Sequence, residues 1–304
     1  MKKNMRKKAL LPALSMLLAS VIALSGVTYA WFTTSNTAKV SNLDVNVAAA
    51  NGIQVSLDAT SWRSVISAEE LKAFIQNPVN YSSHTSQYPS AEGVEIAPVS
   101  TAGVIEDGKM VMYFGEITQN GTLKSTLETE KARLDGGNFV AFDLFFKSST
   151  DQMLSFDSAS GVMGTSASGT SLGTEKAVRV AFIPLGSAAT PTAAKTLKGD
   201  ANTKAKIWEP NEDTRIEGSE HPAGKLDCYG FNAEFDKAEG DLTEGTDIVK
   251  VETFSGSTEL VELKAGITKI RVYIWLEGQD VDCVNQISYG DFATNLQFSV
   301  PEAE

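Results

Sequence analysis

The sequence predicts an all-β protein: a jelly-roll-like β-sandwich with one or two short helices and long loops, preceded by an N-terminal signal peptide. Three observations carry that expectation. Apolar residues recur at every second position in several separate runs. The runs are separated by stretches rich in Gly, Ser, Thr and Pro. Only one helix has both a start and a stop signal. Many strands, polar connections and little helix describe sheet packed on sheet.

The chain begins with a leader. Lys2, Lys3, Arg6, Lys7 and Lys8 form a positive head with no acid beside it. An apolar run from Leu10 to Val27 follows, interrupted by Pro12, Ser15, Ser20 and Ser25. Thr28 and Ala30 then place small residues at the −3 and −1 positions of a cut between Ala30 and Trp31. This is a secretory signal pattern. The rival is an uncleaved anchor, because about 18 apolar residues can span a bilayer; the small residues favour cleavage. The expected division is a signal peptide over 1–30, an N-terminal strand segment over 31–47 and a β-sandwich over 48–304. In a cleaved protein the membrane is met only through the precursor's signal segment.

Cleavage removes five positive charges and no acid, moving the formal charge from −12 to about −17. An acidic chain is poorly suited to nucleic acid, whose binding rests on neutralising phosphates. A hydrophobic content of 42% can build a core. Two cysteines, Cys228 and Cys283, make one candidate disulfide in an oxidising compartment.

After the leader, Leu43, Val45 and Val47 alternate with Asp44 and Asn46, and Ile53, Val55 and Leu57 alternate with Gln54 and Ser56. Asn51-Gly52 lies between them, so the two runs predict a hairpin. Ser67 with Glu70 is a capping box, Leu71, Phe74 and Ile75 form an apolar helix face, and Pro78 ends it. Residues 80–98 read as a loop. Strands are expected over 109–117 and 139–147. In the second, Val140, Phe142, Leu144 and Phe146 share one face and Phe139, Ala141, Asp143 and Phe145 the other, which describes a central strand. Residues 152–156 continue it after a turn, 161–173 read as a mobile Gly/Ser/Thr loop, and Val178, Val180 and Phe182 form the next strand. Residues 186–206 look like an exposed insertion and 211–245 like an acidic, turn-rich stretch. Three strands close the chain, over 247–254, 267–276 and 292–298.

Catalytic motifs are missing. Two histidines, His84 and His221, cannot build a histidine-rich metal site. The His-Glu-x-x-His, Gly-x-Ser-x-Gly and phosphate-loop patterns are not found, and no enzyme or cofactor is expected. Glu277, Asp280 and Asp282 beside Gly278 have the chemistry of a Ca²⁺ loop without its spacing; a solvated turn is the plainer reading, as it is for 209–220. Trp275 reads as packing rather than a sugar platform.

The junction Thr28-Tyr29-Ala30-Trp31-Phe32, followed by Val40-Ser41-Asn42-Leu43-Asp44-Val45-Asn46-Val47, resembles the TasA/camelysin family of Gram-positive bacteria. The run Ile274-Trp275-Leu276-Glu277-Gly278-Gln279-Asp280-Val281-Asp282-Cys283, with the later Phe298, is similar to a motif of clostridial relatives that carry this signal type. The likeness covers about 45 N-terminal and about 30 C-terminal residues. It implies export through a SipW-type signal peptidase, a jelly-roll fold and a role in biofilm matrix fibres with other matrix components. The family's aromatic-Phe-x-Asp after the cut stands here as Trp31-Phe32-Thr33-Thr34, without the Asp. Camelysin's metallopeptidase label finds no metal site here to carry it. The resemblance also implies head-to-tail strand donation, with Val40, Leu43, Val45 and Val47 as donor residues. Burying the last three contributes about 1.5–3 kcal/mol each. The alternatives are a strand paired within its own subunit and, for function, a surface adhesin or carbohydrate-binding module with a rim of loops carrying Tyr81 and Tyr88.

Overall fold

The computed structural model describes residues 43–77, 87–89, 95–117, 123–130, 137–165, 171–211, 229–231, 248–278, 280, 282–283, 287 and 290–301. Most of these residues lie in strands, which form several sheets, and the α-helices among them are α1 (Ala68–Gln76) and α2 (Pro191–Lys195). The all-β class is therefore observed.

One six-stranded sheet contains β17 (Thr258–Leu263), β10 (Gln152–Phe156), β19 (Asp291–Ser299), β1 (Leu43–Ala49) and β3 (Val65–Ile66) in that order, with β11 (Gly161–Thr165) also paired to β19. The other six-stranded sheet runs β16 (Thr253–Phe254), β13 (Lys206–Trp208), β12 (Val178–Ala188), β18 (Gly266–Leu276), β9 (Phe139–Ser148), β2 (Gln54–Ser56). One apolar core lies between them. Leu43, Val45 and Val47 of the first sheet share it with Val140, Phe142, Leu144 and Phe146 of the second. Phe146 meets Phe298 edge-on at 5.0 Å between ring centroids. Ile270, Val272, Ile274 and Leu276 face this core from β18, as their alternation predicts.

The second sheet is covered on its other face as well. There Phe139, Ala141, Tyr273 and Trp275 pack with Val99, Met110 and Met112. These last come from a segment containing β4 (Val99–Ser100), β5 (Ile105–Glu106), β6 (Lys109–Met110) and β7 (Met112–Ile117); β8 (Leu123–Glu128) pairs β7. β14 (Tyr229–Phe231) and β15 (Ile248–Lys250) form a separate pair. A strand buried on both faces needs apolar residues at every position, hence the near-continuous run of β9.

Several expectations change. The predicted hairpin over 43–57 is not one. β1 pairs parallel with β19 and antiparallel with β3, whereas β2 pairs with β9 in the opposite sheet. Asn51 (φ 56°) and Gly52 (φ 83°) thus turn the chain from one sheet into the other. The Gly/Ser/Thr stretch expected as a loop begins with the strand β11, because its Val162 is needed in the core. The exposed insertion over 186–206 contains the end of β12 and α2, whose Ala194 is fully buried. The strand β17 has no counterpart among the predicted strands. The helix matches its sequence signals: Ser67 Oγ accepts from the Glu70 amide while the Glu70 carboxylate accepts from the Ser67 amide.

Candidate functional site

The N-terminal strand is the element that sequence and structure both single out. Ala30, Trp31 and Val40 lie outside the described residues. Leu43, Val45 and Val47 are fully buried, and every residue of β1 is in register with β19, from Leu43 opposite Phe292 to Ala49 opposite Phe298. In this chain, then, β1 fills a slot in its own sheet. Polar contacts pin it in place. Tyr88 Oη donates to the Leu43 carbonyl, the Asn46 side chain accepts from the Ala68 amide at 3.0 Å, and Lys72 reaches Asp44 at 2.5 Å. Asn51 at the turn donates to the Val300 carbonyl at 2.7 Å. Tyr88 is therefore a core residue, not part of an aromatic rim, and Tyr81 lies outside the described residues.

The acidic turn after β18 is not solvated. Glu277, Asp280 and Asp282 are all fully buried. The Trp275 indole donates to Glu277 at 3.0 Å. Asp280 pairs with Arg179 and accepts from the Asp282 amide at 2.7 Å. Glu209, also expected in a solvated loop, is buried and pairs with the same Arg179. Burial pushes the Asp280 carboxyl up to about 7, against the pull of Arg179 and with the neighbouring Asp282 and Glu209 adding to the rise. The turn's acids are used internally, tying the end of β18 to β12 and the exit of β13. Among the described residues no group of three or more His, Cys, Asp or Glu is arranged to hold a metal. Cys283 is buried in the main core, while Cys228, His84 and His221 lie outside the described residues.

A second ionic centre is buried on the far face of β9 and β18. Asp143 takes Arg271 at 3.0 Å and Lys269 at 3.2 Å. Lys269 also donates to the carbonyls of Lys195 and Leu197 at 3.0 and 3.1 Å, and Glu130 takes Arg271 at 2.8 Å and Lys109 at 3.1 Å. Burial would raise Glu130, but Arg271, the Tyr273 hydroxyl and Lys109 override it and hold the carboxyl below its usual range. Burial lowers Lys269, with Asp143 opposing. Charges paired this way attach Glu130, Lys109 and the carbonyls of Lys195 and Leu197 to the sheet.

These centres had a signal in the sequence. Asp143 stands alone in an apolar run, and Lys269 and Arg271 interrupt another. Two strands apolar on both faces, each carrying charge of opposite sign, must pair those charges. No family model, curated protein or solved structure matches the chain.

Proposed function

We propose that the protein is a secreted structural subunit of an extracellular matrix fibre, with copies joined through the N-terminal strand. The sandwich would be of the jelly-roll type that the family resemblance implies. The observation that supports this reading is the placement of β1. It is the first described strand, its partner β19 lies about 250 residues further on, and a two-residue Asn51-Gly52 turn joins it to β2 in the opposite sheet. A strand so placed can leave its own slot and fill the same slot in the next copy. Every contact of the closed subunit is then remade between copies. The exchange costs little beyond reopening the turn. Each copy gives one strand and takes another in a different place, so the arrangement is heterologous and extends as a filament rather than closing. Export through a SipW-type peptidase would release the residues before β1 from the leader, leaving the strand free to exchange.

A mature chain lacking 33–47 tests this directly. It is expected to stay monomeric, with an open slot that a synthetic peptide of that sequence fills. Peptide binding should raise the thermal midpoint and leave the sample free of filaments. Filaments formed by the truncated chain alone would rule the reading out.

A further inference from the structure

The strand β11 presents an edge with unusual chemistry. Among the described residues it pairs with β19 alone. Sheet edges invite pairing with other chains and are ordinarily protected by charge, proline or brevity. The other longer open edges here follow that rule: β17 carries exposed Glu259 and Glu262, and β8 contains Lys124 and Glu128. β2 is short, and Val55 is bridged to Arg63. By contrast, the five residues of β11, Gly161-Val162-Met163-Gly164-Thr165, contain no charge and no proline. At their centre Met163 is 65% exposed, the most exposed of the large apolar residues described.

We propose that β11 is a self-association edge that pairs antiparallel with β11 of a second copy, across a two-fold axis at Met163. Several features of the strand fit this occupant. In an antiparallel pair centred on residue 163, Met163 meets Met163 and Gly161 falls opposite Thr165. Val162 falls opposite Gly164, where the chain's own Ser171 hydroxyl and Glu175 carboxylate take the place of a side chain. Gly164 is bound to remain glycine, because a Cβ there would lie 2.1 Å from both Ser171 Oγ and Glu175 Oε2. Charge points the same way. A second copy is as acidic as the first, and mature chains of about −17 repel wherever their charged faces meet. β11 has no charged residue of its own, the Glu175 carboxylate lying beside Gly164, and it is where two such copies can approach. The two-fold contact is isologous and uses the same residues from both sides.

Five residues of edge bury far less than the roughly 800 Å² per partner of a standard stable interface. The isolated pair is therefore weak. It gains strength where many copies are presented together, as they are along a filament. There it would join filaments side by side. The pairing does not depend on the strand exchange proposed above, although this lateral consequence does.

Residues directly opposed in an antiparallel pair have Cα atoms about 4.5–5.5 Å apart, within the range a disulfide spans. Met163→Cys in the mature chain is therefore expected to form a disulfide dimer under mild oxidation at least about tenfold faster than Val104→Cys, a variant at another exposed site, after subtraction of the unsubstituted chain. Equal rates for the two overturn the proposal. So does a thiol introduced at position 163 that is shielded from a soluble thiol reagent until residues 31–42 are deleted, since the chain's own N-terminal segment would then occupy the edge. In fibres, Met163→Lys should leave single filaments where the unsubstituted chain forms bundles; bundles that persist also overturn it. If no filaments form from the unsubstituted chain, the strand-exchange reading falls, and disulfide dimerisation of the Met163→Cys variant still decides the edge pairing.

Discussion

Asp143 and Arg271 stand directly opposite each other on β9 and β18, 3.0 Å apart and with both side chains fully buried. Lys269 reaches the same carboxylate at 3.2 Å. One acid is thus shared by two cations in the middle of a sheet covered on both faces, with Glu130 also pairing Arg271. The arrangement explains how a strand otherwise apolar from Phe139 to Phe146 tolerates a charge at its centre.

Asp143→Ala should be among the most damaging single changes in the described chain. It leaves Arg271 with Glu130 and Lys269 with backbone carbonyls, but removes the charge both cations share. Breaking a buried pair from one side costs about 3–5 kcal/mol. A urea titration followed by tryptophan fluorescence measures it. A loss below about 1 kcal/mol would mean that solvent reaches the site and compensates the cations.

Asp280 predicts a pH dependence. Its folded carboxyl is pushed up to about 7, above the ordinary 3.8, because burial, with the charges of Asp282 and Glu209 adding to it, outweighs the pull of Arg179. A group raised in this way binds its proton more tightly in the folded state. Its contribution is fully present below about pH 4 and is lost as pH rises through about 7. Between pH 8 and pH 5 the chain should therefore become more stable, by no more than about 1.4 kcal/mol per pH unit for one proton. Asp280→Asn places a neutral side chain there permanently and should flatten the profile in that window. An unchanged slope in the variant would assign the titration to another group.

Tyr88 fixes the start of β1 through its bond to the Leu43 carbonyl. Burial first, and then the nearby Asp44 charge, raise its hydroxyl well above the usual tyrosine range, so it remains a donor at every ordinary pH. Tyr88→Phe keeps the ring and removes the donor. The buried carbonyl is then left without that partner, at a cost of about 1–3 kcal/mol. Hydrogen exchange should show the loss first in β1. Protection that falls equally across all strands would mean that β1 has no independent opening.

The pairing of β1 shows what local pattern reports and what it does not. Alternation over 43–47 correctly said that one face is buried. It did not say which strand lies alongside, because a parallel partner nearly 250 residues away leaves no trace beside it. An Asn-Gly turn serves a crossing between sheets as well as a hairpin, since both need positive φ at those two residues. The strand β17 escaped for a different reason. Its register with β10 shifts between Leu154 and Ser155, and its buried residues Leu260 and Leu263 are three apart. A bulge of this kind breaks the two-residue period by which strands are read. The burial of Asp280 and Glu209 was equally hidden, since an acidic Gly-containing turn has the composition of a solvated one. Arg179, arriving from β12, pairs with both acids there.

The turn after β1 gives the sharpest test of strand exchange. Asn51 and Gly52 allow the chain to pass from the first sheet to β2 in the second and so keep β1 in its own slot. Removing both residues leaves too little chain for that crossing. The contacts that hold β1 to β19 and β3 are untouched, and they remain available to a second copy. A hinge too short to fold back drives swapping between copies. The doubly deleted chain should therefore deplete the monomer at concentrations where the unsubstituted chain is still monomeric, and sedimentation should show filaments without a lag. Replacing the pair with four glycines should do the reverse, since a longer flexible turn closes within one subunit at little entropic cost. If both variants sediment as the unsubstituted chain does, the turn does not govern exchange and β1 stays in its own sheet.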